Sequence, residues 1–157
     1  MGLRIAAFAP MDRDEVIGLW RSAFPAYADD PAAQLDRALA TPSSAVFVAR
    51  DGADLVGTTL VGSDGIRGWL HYVAVVPGRR GTGAGRALVA HAEAWLSKRQ
   101  GITKVNLQVR GDNEAVIGFY RRLGYALEDR ASMGKRLAYG PVQEPGPNSA
   151  SHETWHQ

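Results

Sequence analysis

Residues 73–88 bring together the types that hold an anion: Val73-Ala74-Val75-Val76-Pro77-Gly78-Arg79-Arg80-Gly81-Thr82-Gly83-Ala84-Gly85-Arg86-Ala87-Leu88. A β-branched run breaks at a proline, passes through a basic, glycine-rich turn and enters an alanine- and leucine-rich helix. Glycines open backbone conformations closed to other residues and turn N–H groups inward. At a helix start those groups are unpaired and lie at the positive end of the dipole. Such a turn suits a phosphate.

Counting tests which phosphate. A P-loop needs G-x-x-x-x-G-K-[ST]; Gly78 and Gly83 have the spacing, but Ala84 stands where the lysine must be. A dinucleotide loop needs G-x-G-x-x-G or a closing alanine; Gly81-Thr82-Gly83 ends at Arg86, and Gly83-Ala84-Gly85 ends at Leu88. No carboxylate follows at the distance used for a ribose hydroxyl. What remains is Arg80-x-x-Gly83-x-Gly85, beside the plain alternative of a glycine-rich connection that only turns the chain. This signature resembles the pyrophosphate-binding turn of the GNAT N-acetyltransferases, which use acetyl-coenzyme A (acetyl-CoA).

A second segment carries the resemblance further. Asn113-x-x-Val116-x-x-Phe119-Tyr120-x-x-x-Gly124-Tyr125 is similar to the N-x-x-A-x-x-x-Y-x-x-x-G-[FY] pattern of that family, in the same chain order. Gly57-Thr58 and Met133-Gly134-Lys135-Arg136-Leu137 extend the match over roughly residues 3–138. The closing segment and Phe119 to Tyr125 resemble the YpeA-like subgroup of small bacterial acetyltransferases.

The resemblance implies a division of labour. The fourth and fifth strands splay, and the pantetheine arm of acetyl-CoA lies between them, paired with backbone groups of Val73, Ala74 and Val75. The N–H groups of Gly81, Thr82, Gly83, Ala84, Gly85 and Arg86 hold the pyrophosphate, with Arg79 or Arg80 reaching its oxygens. Asn113 bonds the arm near the thioester. Tyr120 is the implied general acid, since a phenol stays protonated at neutral pH and can donate to a leaving thiolate. Its place on the apolar stripe Val116, Phe119, Tyr120, Leu123 equally suits a core aromatic.

One position departs from the pattern. Relatives carry a glutamate base on the fifth strand, five residues before the asparagine; here that residue is Gln108, which takes no proton at neutral pH. Proton loss through water is expected, with Gln108 and Asn106 positioning the acceptor or that water. His71, expected on one strand face with Val73 and Val75, is the alternative base or a structural histidine. Trp69 and Tyr72 are either cleft walls or core aromatics. Acceptor choice in the family rests largely on the segment between the first two helices, here Phe24 to Asp30. Tyr27 and Asp29 are its candidate acceptor contacts, and Asp30 either attracts a cationic amine or caps a helix.

The composition bounds this reading. At 157 residues the chain suits one domain, and 45% hydrophobic with 22% charged residues is a globular profile. With no cysteine, thiolate catalysis, disulfides and cysteine metal sites are excluded, so transfer is direct rather than through a thiol intermediate. No metal is implied. A net charge of +2 is too small a basic surface for nucleic acid. No apolar run reaches membrane-spanning length and no signal pattern opens the chain, so a cytoplasmic location is the default. The acceptor is a small-molecule amine or a protein N-terminus, and the chain is a monomer or a homodimer. The rival function is a non-catalytic coenzyme A-binding module.

The elements that must position these residues follow from periodicity. Strands are expected at Leu3–Phe8, Ala45–Arg50, Leu55–Val61, Ile66–Val76 and Lys104–Val109, with short closing strands at Tyr125–Leu127 and Ser132–Leu137. Asp51-Gly52-Ala53-Asp54 is a hairpin signal. In the fifth strand Val105, Leu107 and Val109 share one face, and Lys104, Asn106 and Gln108 the other. Helices are expected after Asp12 as N-cap, after Asp30-Pro31, from the glycine turn to Gly101, and from Glu114 to about Leu123. The fold class is mixed α/β with one central sheet flanked by helices, and the family resemblance implies that the sheet is mostly antiparallel with splayed fourth and fifth strands. The acetyltransferase-like domain spans 1–139. Residues 140–157, rich in proline and poor in aliphatics, read as a flexible tail in which Trp155 is unusual.

Overall fold

The computed structural model describes residues 2–26 and 29–137. Two units separate in it, Met1–Tyr125 and Ala126–Gln157. The first holds β1 (Leu3–Ala7), α1 (Arg13–Ala23), α2 (Pro31–Ala40), β2 (Ser44–Asp51), β3 (Asp54–Ser63), β4 (Gly68–Val75), α3 (Ala84–Gln100), β5 (Val105–Asn106) and α4 (Glu114–Arg122). The strands lie in chain order in one sheet. Every pairing is antiparallel except β4 with β5, which is parallel. None of the described helices is long and apolar enough to cross a membrane.

Each face of the sheet buries its own core. Val16, Trp20 and Leu35 of α1 and α2 pack with Val46, Val48, Leu60, Tyr72 and Ala74 on one face. Leu88, Ala92 and Leu96 of α3 pack with Phe47, Val56, Val61 and Leu70 on the other, joined there by Tyr120. With both faces covered, β3 loses the apolar–polar alternation of a half-solvated strand and is buried from Leu55 to Val61.

Local chemistry sets the helix ends. Asp30 caps α2, accepting from the Ala32 N–H at 3.3 Å, with Pro31 in the first helical position. Asp12 does not cap α1 as its spacing suggests. Its carboxylate accepts instead from the Ala9 N–H at 2.8 Å and from the Arg50 guanidinium at 2.7 Å. Arg50 also reaches Glu15 at 2.9 Å, which ties the start of α1 to β2. A charge-assisted bond to a nearly buried guanidinium wins over a neutral cap.

Two expectations fail at the end of the sheet. β5 is regular only over Val105–Asn106, because β4 stays beside it for just two residues. Neither Tyr125–Leu127 nor Ser132–Leu137 is a strand. Leu127, Met133 and Leu137 are all largely exposed, so this segment has no buried face to hold a ladder in place. Residues 138–157, including Trp155 and the expected tail, lie outside the described residues.

Candidate active site

The end of β4 leads into the glycine turn through one short 3₁₀ turn, Pro77–Arg79. Gly81 (φ +77°) and Gly83 (φ +89°) then occupy the left-handed region, where a side chain would strain the backbone. No side chain caps α3 at Gly83, and the first bond of its ladder runs from the Ala87 N–H to the Gly83 carbonyl. The N–H groups of Ala84, Gly85 and Arg86 therefore stand at the helix start without a ladder partner. Gly85 serves a different need. A Cβ there would lie 3.1 Å from the Phe119 ring, so the glycine lets α4 pack on the first turn of α3.

The two arginines of the turn divide. Arg79 is bound to Asp51 at 2.8 Å and faces Asp54 at 3.6 Å, anchoring the turn to the β2–β3 hairpin. That guanidinium holds the Asp51 carboxyl below its ordinary value. Thr82 fastens the same turn, its hydroxyl donating to the Arg79 carbonyl. Arg80 and Arg86 are exposed, with no acidic partner among the described residues. Of Arg79 and Arg80, it is Arg80 that is placed to meet an incoming anion.

β4 and β5 pair only at Gly68–Val105 and Trp69–Asn106, then part. Just beyond, β4 bulges. Leu60 faces His71 while Thr58 faces Ala74, so Tyr72 and Val73 together oppose Thr59. Tyr72 has φ +50°, the one non-glycine residue with positive φ among those described. For a bulky side chain that conformation costs on the order of 1–3 kcal/mol. It is held by the Tyr72 ring stacking on Trp20 at 4.0 Å and by Phe24 edge-on at 5.3 Å.

The bulge reverses which side chains face which helix layer. Leu70 packs toward α3, and after the bulge so do Val73 and Val75. His71, next to Leu70, lies on the opposite face, so it does not share one with Val73 and Val75 as strict alternation suggests. His71 is exposed, and partial burial of its ring holds its pKa below the ordinary histidine value. Val105, Leu107 and Val109 pack toward α3 as expected, which sets Asn106 and Gln108 on the face of His71. Asp29 is exposed ahead of α2, and Asp30 is occupied by its cap and by Arg21. Tyr27 lies outside the described residues.

Helix α4 carries the second motif, and each of its signature residues has a structural duty. The Asn113 carboxamide oxygen caps the helix, accepting from the Val116 N–H at 3.3 Å, which leaves its NH₂ as the group for a ligand. At the other end Gly124 takes φ +94°. Its N–H donates to the Arg121 carbonyl and the Tyr125 N–H to the Tyr120 carbonyl, both at 3.0 Å. This is a Schellman cap, closed by Tyr120 and Tyr125 packing edge to face at 5.5 Å. The Tyr125 hydroxyl donates to Glu93 of α3 at 2.9 Å, and burial beside that carboxylate pushes the Tyr125 pKa up. Tyr120 is thus fixed in direction, buried within the cluster that takes Val73 and Val75 from one bank of the gap and Leu107 and Val109 from the other.

The acetyltransferase (GNAT) family model matches residues 13–125, nearly the whole first unit. The chain belongs to the GNAT family of acetyltransferases. An acetyltransferase of Sodalis glossinidius is 39% identical over 137 residues, covering 86% of this chain and 96% of that one. Among solved structures, an aminoglycoside N-acetyltransferase in complex with CoA superposes with a TM-score of 0.76 at 18% identity, covering 87% of this chain and 96% of that one. A ribosomal-protein-alanine N-acetyltransferase from Brucella melitensis gives a TM-score of 0.68 at 21% identity, covering 87% of this chain and all of that one. These likenesses confirm the GNAT fold, and the protein is an acetyltransferase. Sequence reasoning missed the bulge at Tyr72 and its supports Trp20 and Thr58. Nothing in the residue types marks a tyrosine for a left-handed backbone.

Proposed function

We propose that this GNAT acetyltransferase moves the acetyl group of acetyl-CoA directly to a primary amine. The observation that carries the reading is the opening between β4 and β5, which leads into a helix start with three unladdered N–H groups and exposed arginines beside it. The residues fit the cosubstrate: N–H groups of Gly81 to Arg86 and the Arg80 guanidinium suit a pyrophosphate, and the freed edge of β4 at Val73 to Val75 suits the amides of the arm. The Asn113 NH₂ is an additional donor toward that arm.

Bound there, acetyl-CoA supplies an activated acyl carbon on a thiol leaving group. Tyr120 donates its phenolic proton as the carbon–sulfur bond breaks, so the sulfur leaves as a thiol. The attacking nitrogen forms the amide bond and sheds its proton through water, from which Tyr120 is reprotonated. Gln108 and Asn106 orient that water or the amine, and His71 on the same face is the alternative base. The acceptor is either a small-molecule amine or a protein N-terminus, with the exposed carboxylate of Asp29 a candidate contact for its cationic form.

Incubating the protein with acetyl-CoA and a mixed panel of metabolite amines and peptides, read by mass gain, tests this. Transfer to at least one amine is expected. Tyr120→Phe should lower kcat about 100-fold or more with little change in the KM for acetyl-CoA. Binding without transfer to any amine would overturn the reading in favour of a non-catalytic coenzyme A module. Undiminished turnover by Tyr120→Phe would remove the role given to that phenol.

A further inference from the structure

We infer that the buried Thr58 hydroxyl is a positioning group for the reaction: it clamps the Tyr72–Val73 peptide and so aims the Val73 N–H into the gap between β4 and β5. This rests on the reading of that gap as the acetyl-CoA cleft. Thr58 is fully buried in β3, and its Oγ1 donates to the Tyr72 carbonyl at 3.1 Å. The same oxygen accepts from the Trp20 Nε1–H at 2.8 Å. A hydroxyl has one proton to give, and because the indole N–H can only donate, that proton is committed to the carbonyl. Trp20 thereby orients the Thr58 bond as well as stacking on the Tyr72 ring.

The geometry follows from peptide planarity. The described chain has no cis bond, so the Tyr72 carbonyl and the Val73 N–H point in opposite directions. With the carbonyl drawn toward β3, the N–H points to the side from which β5 has withdrawn. A tyrosine at φ +50° returns to extended backbone unless its surroundings hold it, and that return would turn this N–H away. Thr59 provides the contrast. It too is fully buried, faces the other layer, and its Oγ1 has no hydrogen-bond partner among the described residues. Two adjacent, fully buried threonines thus differ in their hydroxyls: one bonds the bulge and the other has no partner among the described residues.

Calorimetric titration of acetyl-CoA into the wild-type protein and folded variants separates the possibilities. Thr58→Val should weaken binding about tenfold or more, whereas Thr58→Ser, which keeps the hydroxyl, should stay within about threefold of wild type. Thr59→Val makes the same chemical change without breaking a bond and should bind like wild type. Should Thr58→Val fail to fold, Trp20→Phe keeps the stacked ring but removes the N–H, and a loss of about threefold or more is expected. Wild-type affinity in folded Thr58→Val, equal losses in the valine and serine variants, or unchanged binding by Trp20→Phe would each overturn the inference. Failure of the wild-type protein to bind acetyl-CoA would instead overturn the cleft reading, and this inference with it.

Discussion

Neighbouring residues of one type do different work here, and their partners decide which. Arg79 and Arg80 are equivalent in sequence, yet Arg79 is bound to Asp51 while Arg80 is exposed beside the helix start. Arg80→Ala should therefore weaken coenzyme A binding roughly tenfold, the worth of a charge-assisted bond to a phosphate oxygen. Arg79→Ala should leave the affinity within about threefold, because its charge is already matched by the hairpin. Equal losses on calorimetric titration would place both guanidiniums on the phosphates. Gln108 shows the same dependence on surroundings. With no carboxylate at that position, the proposed reaction sheds its proton to water or to His71, whose pKa partial burial lowers.

At the scale of elements, α4 explains why its motif was legible and what the motif does. Asn113 and Gly124 mark the two ends of the helix, and Tyr120 with Tyr125 close the Schellman cap. The spacing reports a helix cut to length, and with it the direction of the Tyr120 side chain. Gly124→Ala places a Cβ at φ +94° and should cost about 1–2 kcal/mol in urea unfolding. Gly118→Ala lies in the interior of the same helix with only the tip of Arg122 near, and should stabilise by about 0.5–1 kcal/mol. A stabilised Gly124→Ala would contradict the cap. Among the described residues periodicity found the four α-helices and the five strands, most clearly where an element buries a stripe or a run, as α3 and β3 do. It overextended β5, which β4 accompanies for only two residue pairs, and it began β4 early at Ile66, where the Asp64 carboxylate holds the Ile66 and Arg67 N–H groups in a turn whose hydrogen bonds no periodicity reports. It also gave strands to 125–127 and 132–137, where Tyr125 closes the helix cap instead and Leu127, Met133 and Leu137 are exposed.

At the scale of the first unit, the two helix layers hold a sheet whose β4 and β5 touch at only two residue pairs. The glycine turn begins beyond that opening, and its arginine pair is tied at one end to the β2–β3 hairpin. The bulge gives one strand two faces: His71 lies opposite to Leu70, on the side of the α1–α2 layer, while Val73 and Val75 face α3 and Tyr120. An acceptor entering from the first side and a cosubstrate from the second would meet in the gap. Titrating coenzyme A into the isotopically labelled protein while following its backbone amides tests this account most directly. The amide signals of Gly81 to Arg86 and of Val73 to Val75 should shift together and saturate with a single affinity. Saturable binding that left both groups unmoved and shifted another surface would contradict it.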